Sequence, residues 1–224
     1  MKNIIKADFH VHSIASWDSI SKGEALLQRS KEIGLGKLIL TDHNTIAEAV
    51  RLQKMYPDFV IVGEEILTTK AEILAFFVKE EIPKDIEPLE ALKRLKDQGA
   101  FISLSHPYAP MRFRWKEEEM EKLLPWLDAI EIANARCLPK MNDLAKKFAA
   151  DHDLHGTAGS DAHGIPELGT MGLELPDFQT ADELRESIKF SSVFGKESPF
   201  WVRKYSRGAV FCKALENNFG LKTN

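Results

Sequence analysis

Hydrophobic positions along the chain follow two rhythms in turn, one of period two and one of helical period. The run IIKADFHVH (residues 4–12) reads as a strand with Ala7, Phe9 and Val11 on one face and Asp8, His10 and His12 on the other. SKGEALLQRSKEIG (21–34) then predicts a helix, with Ser21 and Glu24 as a capping box and Gly34 as its stop. KLILTDH (37–43) predicts a second strand, and TIAEAVRLQKMY (45–56) a second helix on which Thr45 and Glu48 repeat the capping pattern. DFVIVGEEIL (58–67) and EILAFFV (72–78) read as strands, paired antiparallel, and PLEALKRLKDQG (88–99) as a helix with Pro88 near its first turn.

AFISLSHP (100–107), AIEIANA (129–135) and GTAGSDAH (156–163) continue the strands, separated by KEEEMEKLLPWL (116–127) and PKMNDLAKKFAADH (139–152). TADELRESIKF (180–190), capped by Thr180 and Glu183, is the last clear helix. Strands alternating with helices predict an α/β chain with a parallel sheet, and six or seven such units predict a barrel. No internal repeat, linker or low-complexity stretch interrupts the pattern.

Composition narrows the picture. With 224 residues, 44% apolar and 29% charged, the chain reads as one globular domain with a substantial core. The net charge of −4 gives no global attraction to nucleic acid or anionic membrane. Six Lys and Arg against two Glu make residues 191–224 a tail of +4, which leaves a body of −8 suited to holding cations. Cys137 and Cys212 form no disulfide framework or zinc-finger spacing. The first residues lack the apolar run of a signal peptide, and no run approaches the roughly 20 residues of a membrane span. A cytoplasmic protein is the expectation.

The predicted strands end in HVHS, TDHN, GEEI, SHPY and GSDAH, rich in metal-binding side chains. In parallel α/β folds, ligands gather at the carboxyl ends of strands. Five of the seven histidines lie in these corners: His10, His12, His43, His106 and His163. His152, in the last turn of a helix, and His155, starting a strand, have ordinary readings. Each corner alone has one too: Asp42 as a turn residue, His106 as a neighbour of Pro107, GSDAH as a loop. The H-x-H pair is stronger, because two rings on one face can share an ion. Five corners on successive strands outweigh their members.

In this order, DFHVHS, TDHN, GEE, SHP and GSDAH resemble the PHP (polymerase and histidinol phosphatase) superfamily over roughly residues 4–190. The resemblance implies a distorted (β/α)7 barrel over residues 1–190, on which the basic extension 191–224 packs. It also implies two or three divalent ions (manganese, iron or zinc) and phosphoester hydrolysis. By position, His10, His12, Asp161 and a bridging Glu65 look like ligands of a first metal. His106 joins Glu65 at a second, and Asp18, His43 and His163 form a third. Glu64 faces away by strand alternation, and Asp8 and Asp42 look like carboxylates that orient neighbouring imidazoles. Glu72 stands where family members often carry a histidine, and reads equally as a ligand or an exposed strand start.

That resemblance points to metal-activated water attacking phosphorus, with His43 or His163 assisting departure of the leaving group. Arg112, Arg114 and Arg136, just past strand ends, are candidates for the substrate phosphate, Arg136 foremost. A small phosphomonoester, such as histidinol phosphate or a nucleotide, is the leading substrate. Exonuclease action on an oligonucleotide end is the alternative, since Phe200, Trp201 and Tyr205 in the basic tail could contact a short strand rather than pack over the barrel mouth. A metal-binding module without activity ranks lower. So does an amidohydrolase, whose barrel also starts with H-x-H but usually uses a bridging lysine. The sequence has no nucleophile elbow, P-loop or Rossmann fingerprint.

Overall fold

The computed structural model describes residues 3–109 and 114–219. Seven strands build the barrel: β1 (Ile4–Asp8), β2 (Lys37–Leu40), β3 (Val60–Leu67), β4 (Glu72–Phe76), β5 (Phe101–Leu104), β6 (Ala129–Asn134) and β7 (His155–Gly159). The helices α1 (Gly23–Glu32), α2 (Ala47–Met55), α3 (Pro88–Asp97), α4 (Glu117–Leu123) and α5 (Pro139–Asp151) return the chain between them. The pairs β1–β2, β2–β3, β5–β6 and β6–β7 are parallel, whereas β4 runs antiparallel to both β3 and β5. That reversed strand is the barrel's distortion.

Two further strands went unpredicted. β8 (Met171–Pro176) pairs antiparallel with β1, and β9 (Ser192–Gly195) with β8. The expected boundary at residue 190 therefore falls inside the sheet, between α6 (Ala181–Ser187) and β9. The barrel closes at the C-terminal ends of its strands. Phe9 N donates to Ala158 O at 3.3 Å and His12 N to Ala162 O at 2.9 Å, beyond the ends of β1 and β7.

Two apolar clusters flank the sheet. One joins its outer face to α1–α5 through residues such as Leu26, Leu52, Leu92 and Met120. The other fills the barrel with Ala7, Phe9, Ile39, Ile61, Leu74, Phe76 and Phe101, and Leu184 and Phe178 close its lower end. The expected alternation through residues 7–12 breaks after β1, because Phe9 lies in the inner cluster and Val11 in the outer one. The inner aromatic floor, with Phe9 and Phe76 centroids 5.3 Å apart, supports the histidines that follow.

Thr180 caps α6 as predicted, accepting from Glu183 N at 3.1 Å. The two other predicted capping boxes do not form. Ser21 donates instead to His163 O at 3.3 Å, and α1 begins after Lys22. Thr45 Oγ1 accepts from Ala47 N, while Glu48 pairs with Arg51. The final helix, α7 (Lys204–Phe219), lies across the mouth loops: Lys213 donates to the carbonyls of Ile14 and Ser16, and the Tyr205 ring packs on Gly164. No helix among the described residues is long and apolar enough to cross a membrane.

Candidate metal centre

His10 and His12 follow β1, and Gly159 lets β7 approach them. A Cβ on Gly159 would stand 2.4 Å from His10 Cβ. Past that point Asp161 takes a left-handed backbone (φ 53°), which an Asp tolerates better than a bulkier residue. Glu65 comes from β3, Glu72 opens β4, His106 follows β5, and His43 follows β2.

These elements bring side chains from most of the chain to one point. His10 Nε2 lies 3.2 Å from Glu65 Oε2 and 3.7 Å from Asp161 Oδ1. His12 Nε2 lies 3.3 Å from each of the same two oxygens. His106 Nε2 is 3.2 Å from Glu65 Oε1 and 3.6 Å from Glu72 Oε2. His43 straddles two groups, with Nδ1 3.1 Å from Glu65 Oε2 and 3.8 Å from Glu72 Oε1, and Nε2 3.5 Å from Asp18 Oδ1. His163 Nε2 is 2.9 Å from Asp18 Oδ2.

Hydrogen bonds fix which imidazole nitrogens face inward. His10 Nδ1 donates to Glu131 Oε1 at 2.9 Å, and His163 Nδ1 to Asp161 O at 2.8 Å. Ser16 Oγ donates to Asp42 Oδ1 at 2.6 Å and so accepts from His12 Nδ1 at 3.0 Å. His10 and His12 therefore aim Nε2 at carboxylate oxygens. Both nitrogens, and Asp18 Oδ1, are buried without a hydrogen-bond partner. Nε2 beside a carboxylate calls for a cation between them, a proton or a metal ion. A tetrahedral ion with arms of ~2.1 Å has edges of about 3.4 Å, and the four imidazole–carboxylate distances of 3.2, 3.7, 3.3 and 3.3 Å lie near that edge. The donor set fits divalent ions.

Without a metal ion, the carboxylates draw protons to some of these nitrogens instead. Burial lowers His10, but the Glu65, Asp161 and Glu131 carboxylates outweigh it and raise its pKa well above the usual range. Burial, with His163 and His43 nearby, pushes His12 down to about 3. Burial also opposes charge on His43 and His106, yet carboxylates, Glu65 above all, bring them up to about 9 and about 10. Glu65 and Asp161 are held well below the carboxylate range, because surrounding imidazoles overcome their burial. The imidazoles of His163 and His43 likewise lower Asp18 against its burial. Glu72 is raised to about 7 by burial and by Glu65.

Glu72 therefore turns into the cluster, not to solvent as a bare strand start would. Glu64 does face away, accepting from Ile82 N at 3.1 Å, and burial raises it to about 8. Asp8 and Asp42 depart from expectation, because neither touches an imidazole ring. Asp8 accepts from the backbone of His10, Ser160 and Gly169 and from Ser160 Oγ, with burial raising it to about 6. Asp42 acts through Ser13 and Ser16.

Arg136 also departs. Its fork grips Glu167 at 2.8 and 2.9 Å, its Nη1 donates to Ser206 of α7 at 3.2 Å, and Glu167 Oε1 accepts from His163 N at 3.1 Å. Arg114 is exposed, and Arg112 lies outside the described residues.

Sequence reading missed Glu131 and Asn134. Glu131 Oε2 accepts from His106 N at 2.7 Å and Asn134 Nδ2 at 3.2 Å, so one buried carboxylate orients two histidine corners. Its signal was a lone acid in the apolar strand AIEIANA.

Comparison with known proteins follows the same lines. A family model described as PHP-associated matches residues 139–193. An uncharacterized protein of Methanocaldococcus jannaschii is 33% identical over 203 residues, covering 84% of this chain and 81% of that one. A two-domain protein of Bacteroides vulgatus containing a predicted PHP-like metal-dependent phosphoesterase superposes with a TM-score of 0.70 at 20% identity, over 93% of this chain and 70% of that one. The chain belongs to the PHP superfamily. The lesion-specific endonuclease of Pyrococcus furiosus has a similar fold, with a TM-score of 0.64 at 16% identity over 85% of this chain and 58% of that one.

Proposed function

We propose that this PHP protein is a metal-dependent phosphoesterase acting on a small phosphomonoester. The observation that carries the reading is the pair of buried, unpartnered Nε2 atoms of His10 and His12 facing the carboxylates of Glu65 and Asp161. His10, His12, Glu65 and Asp161 would hold one ion, His106 with Glu65 and Glu72 a second, and Asp18, His43 and His163 a third. Divalent ions there supply Lewis-acid polarisation of a phosphoryl oxygen and acidify water at neutral pH.

The chain's own part is orientation and charge. Glu131 and Ser16 keep the protons of His10 and His12 on Nδ1, so that Nε2 points into the centre. When the third site holds no ion, His43 and His163, on the Asp18 side of the cluster, are the groups to hand a proton to the departing oxygen. His163 is steadied for this by its bond to the Asp161 carbonyl. A second reading, trimming of an oligonucleotide end, is favoured by exposed Phe200 and Trp201 beneath Arg203 and Lys204.

The test is a panel of phosphomonoesters, nucleotides and short oligonucleotides with manganese, iron or zinc supplied separately. Hydrolysis is expected to vanish on chelation and in His12→Ala and Asp161→Ala, while circular dichroism shows the fold retained. Undiminished turnover after chelation would refute the reading.

A further inference from the structure

Trp17 is unexplained by the metal centre it adjoins. It precedes Asp18, its side chain is 60% exposed, and its indole stacks on His43 with centroids 5.8 Å apart and planes at 29°. One face thus rests on a ring of the cluster and the other meets solvent. The loop that carries it is held from several sides. Ser13 and Ser16 donate to Asp42, and Ser19 Oγ bonds to the carbonyls of His12 and His163. Lys213 of α7 holds the carbonyls of Ile14 and Ser16. Ile14 and Ile20, on the same loop, are also exposed. The loop that presents this aromatic surface is therefore held at the mouth, and little backbone ordering remains to oppose binding against it.

We propose that Trp17 is the platform for a nucleobase, and that the substrate is a nucleoside phosphate whose base stacks on the free indole face while its phosphate reaches the metal centre. This rests on the phosphoesterase reading and specifies its substrate class. The positions support it, because a ribose separates base from phosphate, and the His43 ring, stacked on the indole, reaches Glu65 at 3.1 Å. A phosphomonoester without a flat ring system would leave the platform unused. Arg136, the fork expected to grip substrate, is already paired with Glu167.

The test uses the full chain loaded with manganese, with metal content measured for each variant. Calorimetry compares adenosine 5′-monophosphate with glycerol phosphate as ligands. The wild-type protein should bind the nucleotide at least tenfold more tightly. Trp17→Ala and Trp17→Leu should each reduce that preference about tenfold, the effect of losing one base-stacking contact, while Trp17→Phe keeps most of it. The ratio of kcat/KM for the two esters should fall in parallel, carried by KM. Equal affinity for both ligands in the wild type, no nucleotide binding at all, or equal losses for both ligands in Trp17→Leu would overturn the proposal. If no ester is hydrolysed, the phosphoesterase reading fails, and the calorimetric preference still decides the role of Trp17.

Discussion

Replacing Glu131 by Gln removes one charge and almost no volume, which makes it a sharp probe of how the centre is organised. The carboxylate accepts from His10 Nδ1 at 2.9 Å through one oxygen, and from His106 N at 2.7 Å and Asn134 Nδ2 at 3.2 Å through the other. An amide cannot satisfy both sides. With its oxygen toward His10, its NH2 confronts two donors. Reversed, it confronts the Nδ1 proton and drives His10 to the tautomer whose Nε2 carries hydrogen and cannot ligate. A charge-assisted hydrogen bond reduced to a neutral one loses about 1 kcal/mol, and an unsatisfied buried donor adds roughly 1–3 kcal/mol. Glu131→Gln should thus weaken metal binding by about 10–100-fold, the range seen when a partner behind a ligating histidine is lost. Competition against a chromophoric chelator measures this directly, with circular dichroism as a check on the fold. Affinity within twofold of wild type in a folded variant would refute the role given to Glu131.

Arg136→Lys keeps the charge but loses the two-pronged grip on Glu167, which also accepts from His163 N; unfolding in urea should show a loss of about 1–3 kcal/mol, and an unchanged midpoint would contradict it. Gly159→Ala would put a methyl group 2.6 Å from His10 N, so the strand closure must shift; a stability loss of about 1–3 kcal/mol and weaker metal retention are expected, and wild-type behaviour in both would be incompatible with this packing. Manganese uptake should release protons, because carboxylates hold His43 and His106 protonated, at about 9 and about 10, when no ion is bound. Both groups are raised, so protons compete at pH 7; affinity should strengthen as pH rises from 6 to 9, and a flat profile would exclude imidazole ligation.

Much of the architecture was legible because local rhythm coincides with tertiary role. All seven barrel strands and their helices announce themselves by period, and five metal-rich corners mark the strand ends. Apart from Thr45, whose partners are local, the failures share a cause, which is a distant partner invisible to local pattern. Ser21 and Thr45 have the residue type of helix caps, but the Ser21 hydroxyl is claimed by a carbonyl 142 residues away. β8 was missed because its pairing is with β1, across most of the chain and outside the β–α alternation. Glu131 and His10 are 121 residues apart, so a lone acid in an apolar strand was the whole signal. Arg136 was read as a grip for phosphate, but Glu167, which takes its fork, comes 31 residues later.

The most direct test of the account is anomalous diffraction at the metal edge from crystals of the manganese-loaded protein. A peak is expected within about 2.0–2.3 Å of His10 Nε2, His12 Nε2, Glu65 Oε2 and Asp161 Oδ1, with further density beside His106 or between Asp18 and His163. Saturating metal that leaves those four atoms without a peak, or places the ion elsewhere on the fold, would contradict it.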